Sequence, residues 1–301
     1  MQRNAYFLLL ATTLFWGANA VAGKLAVGHV SPMMLTALRW AVAFVVLFCI
    51  GHRRLRVDWA LARRHLALLF LLGFFGFTLF NVALYTALAH TSAINVSIEQ
   101  GGIPMFIFLL NFLVFRVRVA PGQMVGFVVS VAGIVLVASH GAPARLLALE
   151  LNLGDALMLG AVLVYAGYTV ALRFRPAIHW QSFLMVLSAA AFVGTLPFVA
   201  VEYAFGALTW PDGRGWALVA FIALFPSLLA QVFYVRGVEL IGANRAGLFV
   251  NLVPIFGTVL SILVLGEDLR PYHALALAMT LGGIFIAERS GRRLAGYPAG
   301  R

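Results

Sequence analysis

The sequence predicts an all-α integral membrane protein: ten transmembrane helices arranged as two inverted five-helix repeats, with both termini in the cytoplasm. Three observations carry this. Hydrophobic residues make up 63% of the chain and charged residues 10%, against about 45–50% and ~25% in a soluble domain. The chain repeats itself: residues 78–138 align without a gap on 228–288, so that Pro104 falls on Pro254, Phe106 on Phe256, Pro121 on Pro271 and Gly133-Ile134 on Gly283-Ile284. Nearer the start Trp16 falls on Tyr165, Val21-Ala22 on Val170-Ala171 and Lys24 on Arg173. The basic residues, finally, cluster in alternate short loops, which is a topology signal and not a ligand signal.

A ~30 Å hydrocarbon core takes ~20 helical residues to cross. Stretches of that kind lie at roughly 5–27, 32–50, 66–90, 93–115, 120–140, 154–173, 180–203, 215–240, 243–265 and 271–288. Helix is the reading lipid allows, because it offers backbone groups no partner and these runs are too long for barrel strands. With the N-terminus inside, fifteen of the 21 Lys and Arg residues face the cytoplasm, among them Arg53, Arg54, Arg56, Arg63, Arg64, Arg116, Arg118, Arg173, Arg175 and Arg245. Only Arg145, Arg214 and Arg270 fall in outer loops. Five spans per repeat is an odd number, so the second repeat enters the membrane upside down. The expected division is 1–145 for the first repeat, 146–290 for the second and 291–301 for a cytoplasmic tail.

The N-terminal run also has features of a cleavable signal: Arg3, the apolar stretch from Tyr6 to Phe15, then Ala18-Asn19-Ala20. Its repeat partner in the sixth span favours a retained helix. The single cysteine, Cys49, excludes an intrachain disulfide and a thiolate metal cluster. Catalysis has no motif behind it: there is no Gly-x-Ser-x-Gly elbow, His-Glu-x-x-His helix or phosphate-cradling Gly-Lys-Ser/Thr loop. No cofactor, metal or nucleic acid is expected.

Polar residues at helical spacing define stripes. In the first span they are Trp16 and Asn19, with Thr12 and Gly23; in the third, Thr78, Asn81 and Tyr85; in the fourth, Asn95 and Glu99, with Gln100 beside them. The sixth offers Tyr165 and Tyr168, the eighth Gln231 and Tyr234 with Ser227, the ninth Asn244 and Asn251. Asn81 and Gln231 are repeat partners, as amides on a pseudo-two-fold axis would be. Each such group also serves as interhelical glue, at about 0.6 kcal/mol on average. As a set they point to a cavity, with Trp16 and Tyr165 as aromatic walls for stacking or cation–π contact. Glu99 lies two turns into its span, where a carboxylate is costly; it either binds a substrate ammonium or coupling proton, or pairs with Lys24 or Arg39. Arg39 is expected to be structural, on a peripheral helix. Pro104 and Pro254 are expected to kink spans four and nine in mid-helix and to act as hinges.

Trp16-Gly17, Arg39 after Ser31-Pro32, the small-residue turn before Pro104 and before Pro254, and Gly266-Glu267 ahead of Pro271 resemble the drug/metabolite transporter superfamily. The chain is similar to its EamA-type ten-helix exporters, over about residues 5–290, and within them to bacterial exporters of aromatic amino acids, methionine and threonine. The resemblance implies a bacterial inner-membrane exporter of neutral and aromatic amino acids such as Phe, Trp, Met and Thr. It would work by alternating access, as a monomer, on a small-molecule gradient or with a proton as coupling ion. The alternative it allows is a broad drug or metabolite exporter. Two departures stand out: Arg116-Val117-Arg118 replaces a glutamate at the end of the fourth span, and Arg39 has no basic counterpart near Ser188.

Overall fold

The computed structural model of the chain describes residues 2–117, 119–142 and 152–295, and the regular structure among them is helical. Arg118, Arg145, part of the junction between the repeats and the end of the tail lie outside the described residues. The first repeat comprises α1 (Gln2–Ala26), α2 (Pro32–Ala62), α3 (Leu66–Gly73) continuing through Phe74–Leu79 into α4 (Phe80–His90), α5 (Ala93–Gln100) with α6 (Ile103–Phe115), and α7 (Pro121–Ala138). The second comprises α8 (Leu153–Ala171), α9 (Trp180–Ala204), α10 (Gly213–Leu224) continuing through Phe225–Leu229 into α11 (Ala230–Ile241), α12 (Ala243–Val250) with α13 (Val253–Leu265), and α14 (Pro271–Ala295).

Nine helical runs among the described residues are long and apolar enough to cross a membrane, and one of them, Pro32–His90, has 59 residues. At 1.5 Å per residue that run is nearly three times a ~30 Å core. It contains two crossings, because a tight turn at Arg63–His65 breaks it and His65 leaves helical geometry at φ −120°, ψ 20°. The second crossing thus runs to Ala62 rather than ending near residue 50. Nothing after Cys49 stops it: Gly51 packs under Met185, and Arg53, Arg54 and Arg56 ride exposed.

That overrun has a purpose in packing. α2 and α9 lie side by side and cap each other. Asp58, near the end of α2, accepts from the His179 N–H at 3.1 Å and the Ser182 hydroxyl at 2.6 Å, at the start of α9. Glu202, near the end of α9, accepts from the N–H groups of Met33 and Met34, both at 3.3 Å, and from Ser31 Oγ at 2.6 Å, at the start of α2. Each carboxylate meets orphan N–H groups and the positive end of the other helix.

α7 and α14 close along a seam of small residues, as membrane helices do where dispersion replaces hydrophobic burial. A Cβ on Gly133 would stand 2.7 Å from the Ala276 carbonyl, and Gly126 meets the Gly283 backbone directly. Large side chains face outward, Leu263, Phe7 and Phe285 among them, as the lipid contact requires.

Candidate functional site

Four irregularities, two per repeat, converge at the centre. In the third and eighth spans the helix widens by one residue: the Phe80 N–H bonds the Phe75 carbonyl and the Ala230 N–H bonds Phe225, each five residues back. These π turns stand at equivalent repeat positions. The carbonyls they free are taken by side chains. Phe77 O accepts from Trp40 Nε1 at 3.2 Å and Asn81 Nδ2 at 2.7 Å; Pro226 O accepts from Trp16 Nε1 at 3.2 Å. Pro226 has no N–H for the Ile222 carbonyl, and the Ser227 hydroxyl donates its O–H there instead, at 2.7 Å.

In the fourth and ninth spans the helix stops and restarts, α5 giving way to α6 and α12 to α13, again at equivalent positions. Pro104 and Pro254 therefore do not kink a continuous helix as expected. Each sits in the first turn of a new half-helix, where a missing N–H costs little and φ is already right. Unwound backbone at this depth is tolerated where it lines a cavity.

The cavity is there, about 130 Å³, close to the ~150 Å³ void that admits a benzene ring. Of the predicted residues its wall holds Trp16, Asn19, Asn81, Gln100, Tyr165, Gln231 and Asn251, together with Pro104 and Pro254. Asn251 also donates to Glu288 Oε1 at 3.2 Å. Aromatic faces of Trp40, Phe77 and Phe80 complete the wall. Sequence stripes missed these three, and the repeat position of Gly76-Phe77 opposite Pro226-Ser227 was the signal for the π turns.

The other predicted residues lie elsewhere. Thr78 is buried against α9, donating to the Ala191 carbonyl at 2.8 Å. Tyr168 packs against Phe77, ring centroids 5.9 Å apart. Tyr234 backs Trp16 at 5.4 Å. Asn95 and Glu99 face away toward α8 and α14, Asn95 bonding Asp155 and His273. Tyr85 stands behind the wall, in the network around Arg39. The side chain of Asn244 lies outside the described residues.

Arg39 is the correction that matters most. Its helix is peripheral but the side chain reaches the centre and lines the cavity. Nε donates to Ser227 Oγ at 2.6 Å; Nη1 donates to Asn81 Oδ1 at 2.6 Å, to Asn19 Oδ1 at 3.4 Å and to the Tyr85 hydroxyl. Tyr85 in turn donates to Asn19 Oδ1 at 2.9 Å. The guanidinium lies 4.8 Å from the Trp40 ring centroid. It is 6% exposed, and no carboxylate pairs with it among the described residues. Every group holding it is neutral. Nor does Glu99 pair with Lys24, whose ammonium caps the Leu88 and Thr91 carbonyls at 2.8 and 2.7 Å.

The two ends of the cavity differ. Glu267 accepts from the first N–H groups of α5, Ala93 at 2.8 Å and Ile94 at 2.9 Å. There α5 packs against α13 and is buried at seven of its eight residues. Beyond the breaks α6 turns to α8 and α12 to α11, and α6 is buried only at Met105. The residue equivalent to Glu267 is Val117, and the start of α12 has no side-chain cap among the described residues. The cavity is shut at the Glu267 end and splayed toward the arginine-rich loops.

Two inverted helical repeats around a cavity lined by broken helices define the class: a multi-pass membrane transporter. The chain belongs to the EamA-like transporter family, whose profile matches residues 3–139 and again 152–288. It is 27% identical to the "Uncharacterized transporter YetK" of Bacillus subtilis (strain 168), over 99% of this chain and 91% of that one. It is 24% identical to "Uncharacterized transporter YyaM" of the same organism, over 95% and 93%. An "Uncharacterized transporter" of Archaeoglobus fulgidus is also 24% identical, over 94% and 98%. A solved structure described as "Crystal structure of protein" superposes with a TM-score of 0.64 at 21% identity, over 98% and 99% of the two chains, which concerns the fold alone.

Proposed function

We propose that the protein exports neutral amino acids, aromatic ones included, by alternating access of the two repeats across the inner membrane. The observation that carries this is Arg39: a buried guanidinium at the cavity wall without an anion. Such a charge is costly unless paired, and a substrate carboxylate is the partner the site lacks. Arg presents a planar fork that matches a carboxylate in two parallel hydrogen bonds. An ammonium then finds the carboxamide oxygens of Gln100, Gln231 and Asn251 and the carbonyls freed at the helix breaks. An apolar or aromatic side chain finds Trp16, Trp40, Phe80 and Tyr165. A second cation, as in lysine, would meet Arg39 in a wall whose lining residues include no carboxylate. The wall is tight and polar on one side, which favours this reading over a broad drug exporter with a loose apolar cavity.

Counterflow in proteoliposomes tests it. Vesicles are preloaded with unlabelled Phe, Trp, Met, Thr or Lys, and entry of labelled Phe or Thr is followed without any ion gradient. Acceleration by the neutral residues and not by Lys is the expected result. No acceleration by any of them, in vesicles containing folded protein, removes the amino-acid reading in favour of another anion-bearing metabolite.

A further inference from the structure

A second cluster of ionisable groups lies outside the substrate cavity and takes no part in the Arg39 network. Glu99 is 0% exposed and neither carboxyl oxygen has a hydrogen-bond partner among the described residues. One turn back on the same face, Asn95 Nδ2 donates to Asp155 Oδ1 at 3.2 Å, and Thr91 Oγ1 donates to that oxygen at 2.5 Å. Asp155 is also 0% exposed, and its other oxygen lies 3.1 Å from His140 Nε2. Asp155 stands on α8, which packs against α5. His140 is about one-third exposed and lines a cavity of about 290 Å³ that also reaches Asn95, Asp268, Arg270 and His273. This vestibule lies at the Glu267 end, opposite the arginine-rich loops.

Resting on the carrier reading, we infer that Glu99 and Asp155 form a proton site distinct from the substrate cavity, loaded from this vestibule through His140. The transfer balances simply. A proton on His140 Nε2 passes to the Asp155 carboxylate, breaking N–H and forming O–H. Because the two carboxyls share no hydrogen bond, it goes on to a Glu99 oxygen through an intervening water, which gives one proton to Glu99 as it takes one from Asp155. His140 is reprotonated from vestibule water. The other ionisable groups around α5 are already engaged. Lys24 on α1 caps α4, Glu267 after α13 caps α5, and His273 on α14 shares Asn95 Oδ1 at 3.1 Å. None reaches the Glu99 carboxyl with a hydrogen bond or ion pair. A buried carboxylate with no partner is far costlier than the neutral acid, so the closed packing around α5 holds Glu99 protonated.

Position makes the proton useful. Glu99 is in the last turn before the break, where its own carbonyl accepts from the Gly102 N–H at 3.0 Å, and the next residue, Gln100, lines the substrate cavity. Losing the proton makes the closed packing around Glu99 unfavourable; gaining it allows the packing to close. Proton uptake from the vestibule in the closed packing, and release once α5 turns at the break and carries Glu99 toward the cavity that Gln100 lines, would exchange one proton inward for one substrate outward.

Wild type, Glu99→Gln and Asp155→Asn are compared in proteoliposomes with labelled Phe, first by counterflow at equal pH, then as efflux against an opposing pH gradient. The gradient is expected to accelerate wild-type efflux several-fold, and the acceleration is expected to vanish in both variants while equal-pH exchange persists. Acceleration retained in Glu99→Gln overturns the proposal, as does a wild-type flux indifferent to the gradient. Infrared spectra of the purified proteins provide a readout that needs no substrate. A protonated-carboxyl C=O band present in wild type and missing in Glu99→Gln is expected; no difference in that region overturns the proposal even where Phe proves not to be carried. A wild type silent in counterflow that still shows the band would instead count against the substrate reading alone.

Discussion

Arg39 Nε donates to Ser227 Oγ at 2.6 Å, tying a cation on the second span of one repeat to the π turn in the third span of the other. The hydroxyl is doubly committed, since it also repairs the carbonyl that Pro226 leaves unbonded. The guanidinium is thus oriented from both repeats, and its contacts run through Nε and Nη1. Arg39→Lys keeps the charge but loses the planar fork. Charge-assisted hydrogen bonds contribute ~1.5–3 kcal/mol, so substrate affinity in counterflow is expected to fall roughly ten- to a hundredfold. Arg39→Gln is expected to fall further. Equal affinity in Arg39→Lys and wild type would separate Arg39 from the substrate.

Glu267 latches α5 to the end of α13 by two backbone hydrogen bonds. Its repeat equivalent, Val117, cannot latch α12 in the same way. The molecule is therefore biased toward closure at the Glu267 end. Glu267→Gln leaves one acceptor and removes the charge at a helix N-terminus, a loss of about 1–2 kcal/mol. That corresponds to a shift of roughly five- to thirtyfold in the open-to-closed ratio at this end. Spin labels on the loops before α5 and after α13 would report it as a longer-distance population; an unchanged distance distribution rules the latch out.

The seam between α7 and α14 makes a stability prediction. Gly133→Val places a branched side chain where even a Cβ would stand 2.7 Å from the Ala276 carbonyl and 2.8 Å from Thr280 Oγ1. Overpacking of this kind costs ~1–3 kcal/mol. Thermal unfolding in detergent is expected several degrees lower than wild type. Gly160→Val, at a position where a Cβ meets nothing, is the control and should unfold with wild type.

The membrane class, the duplication and the crossings were legible because each rests on a sum over many residues: apolar runs, a constant repeat spacing, loop arginines. The cavity was legible where two independent signals agreed, as for Asn81 with Gln231 and Trp16 with Tyr165. It was not where a stripe was drawn through an irregular helix. The one-residue widening at Phe74–Leu79 parts Thr78 from the residues after it: Thr78 meets α9, whereas Asn81 and Tyr85, one regular turn apart, both reach Arg39 Nη1, and of the two only Asn81 lines the cavity. Arg39 was misplaced for another reason. A helix position says where the Cα lies, and an arginine carries its charge several ångströms farther. Asp58 and Glu202 were invisible as caps, since each acts on a helix more than 120 residues away.

Pro104 and Pro254 open the second halves of the broken spans, and both line the cavity. Alanine at either position would change the balance at the break. An N–H at residue 104 or 254 restores the donor that the Gln100 or Val250 carbonyl lacks, favouring a helix continuous through the break. Alanine also fits helical geometry at both positions, so little stability is lost. The half-helices would then hinge less readily while the wall residues stay in place. Pro104→Ala and Pro254→Ala are each expected to slow counterflow severalfold with half-saturation changed less than twofold, and the double variant to slow it further. Repeat symmetry demands that the two single variants behave alike. A loss confined to affinity, or an effect at one proline only, would show that the breaks shape the site without moving it.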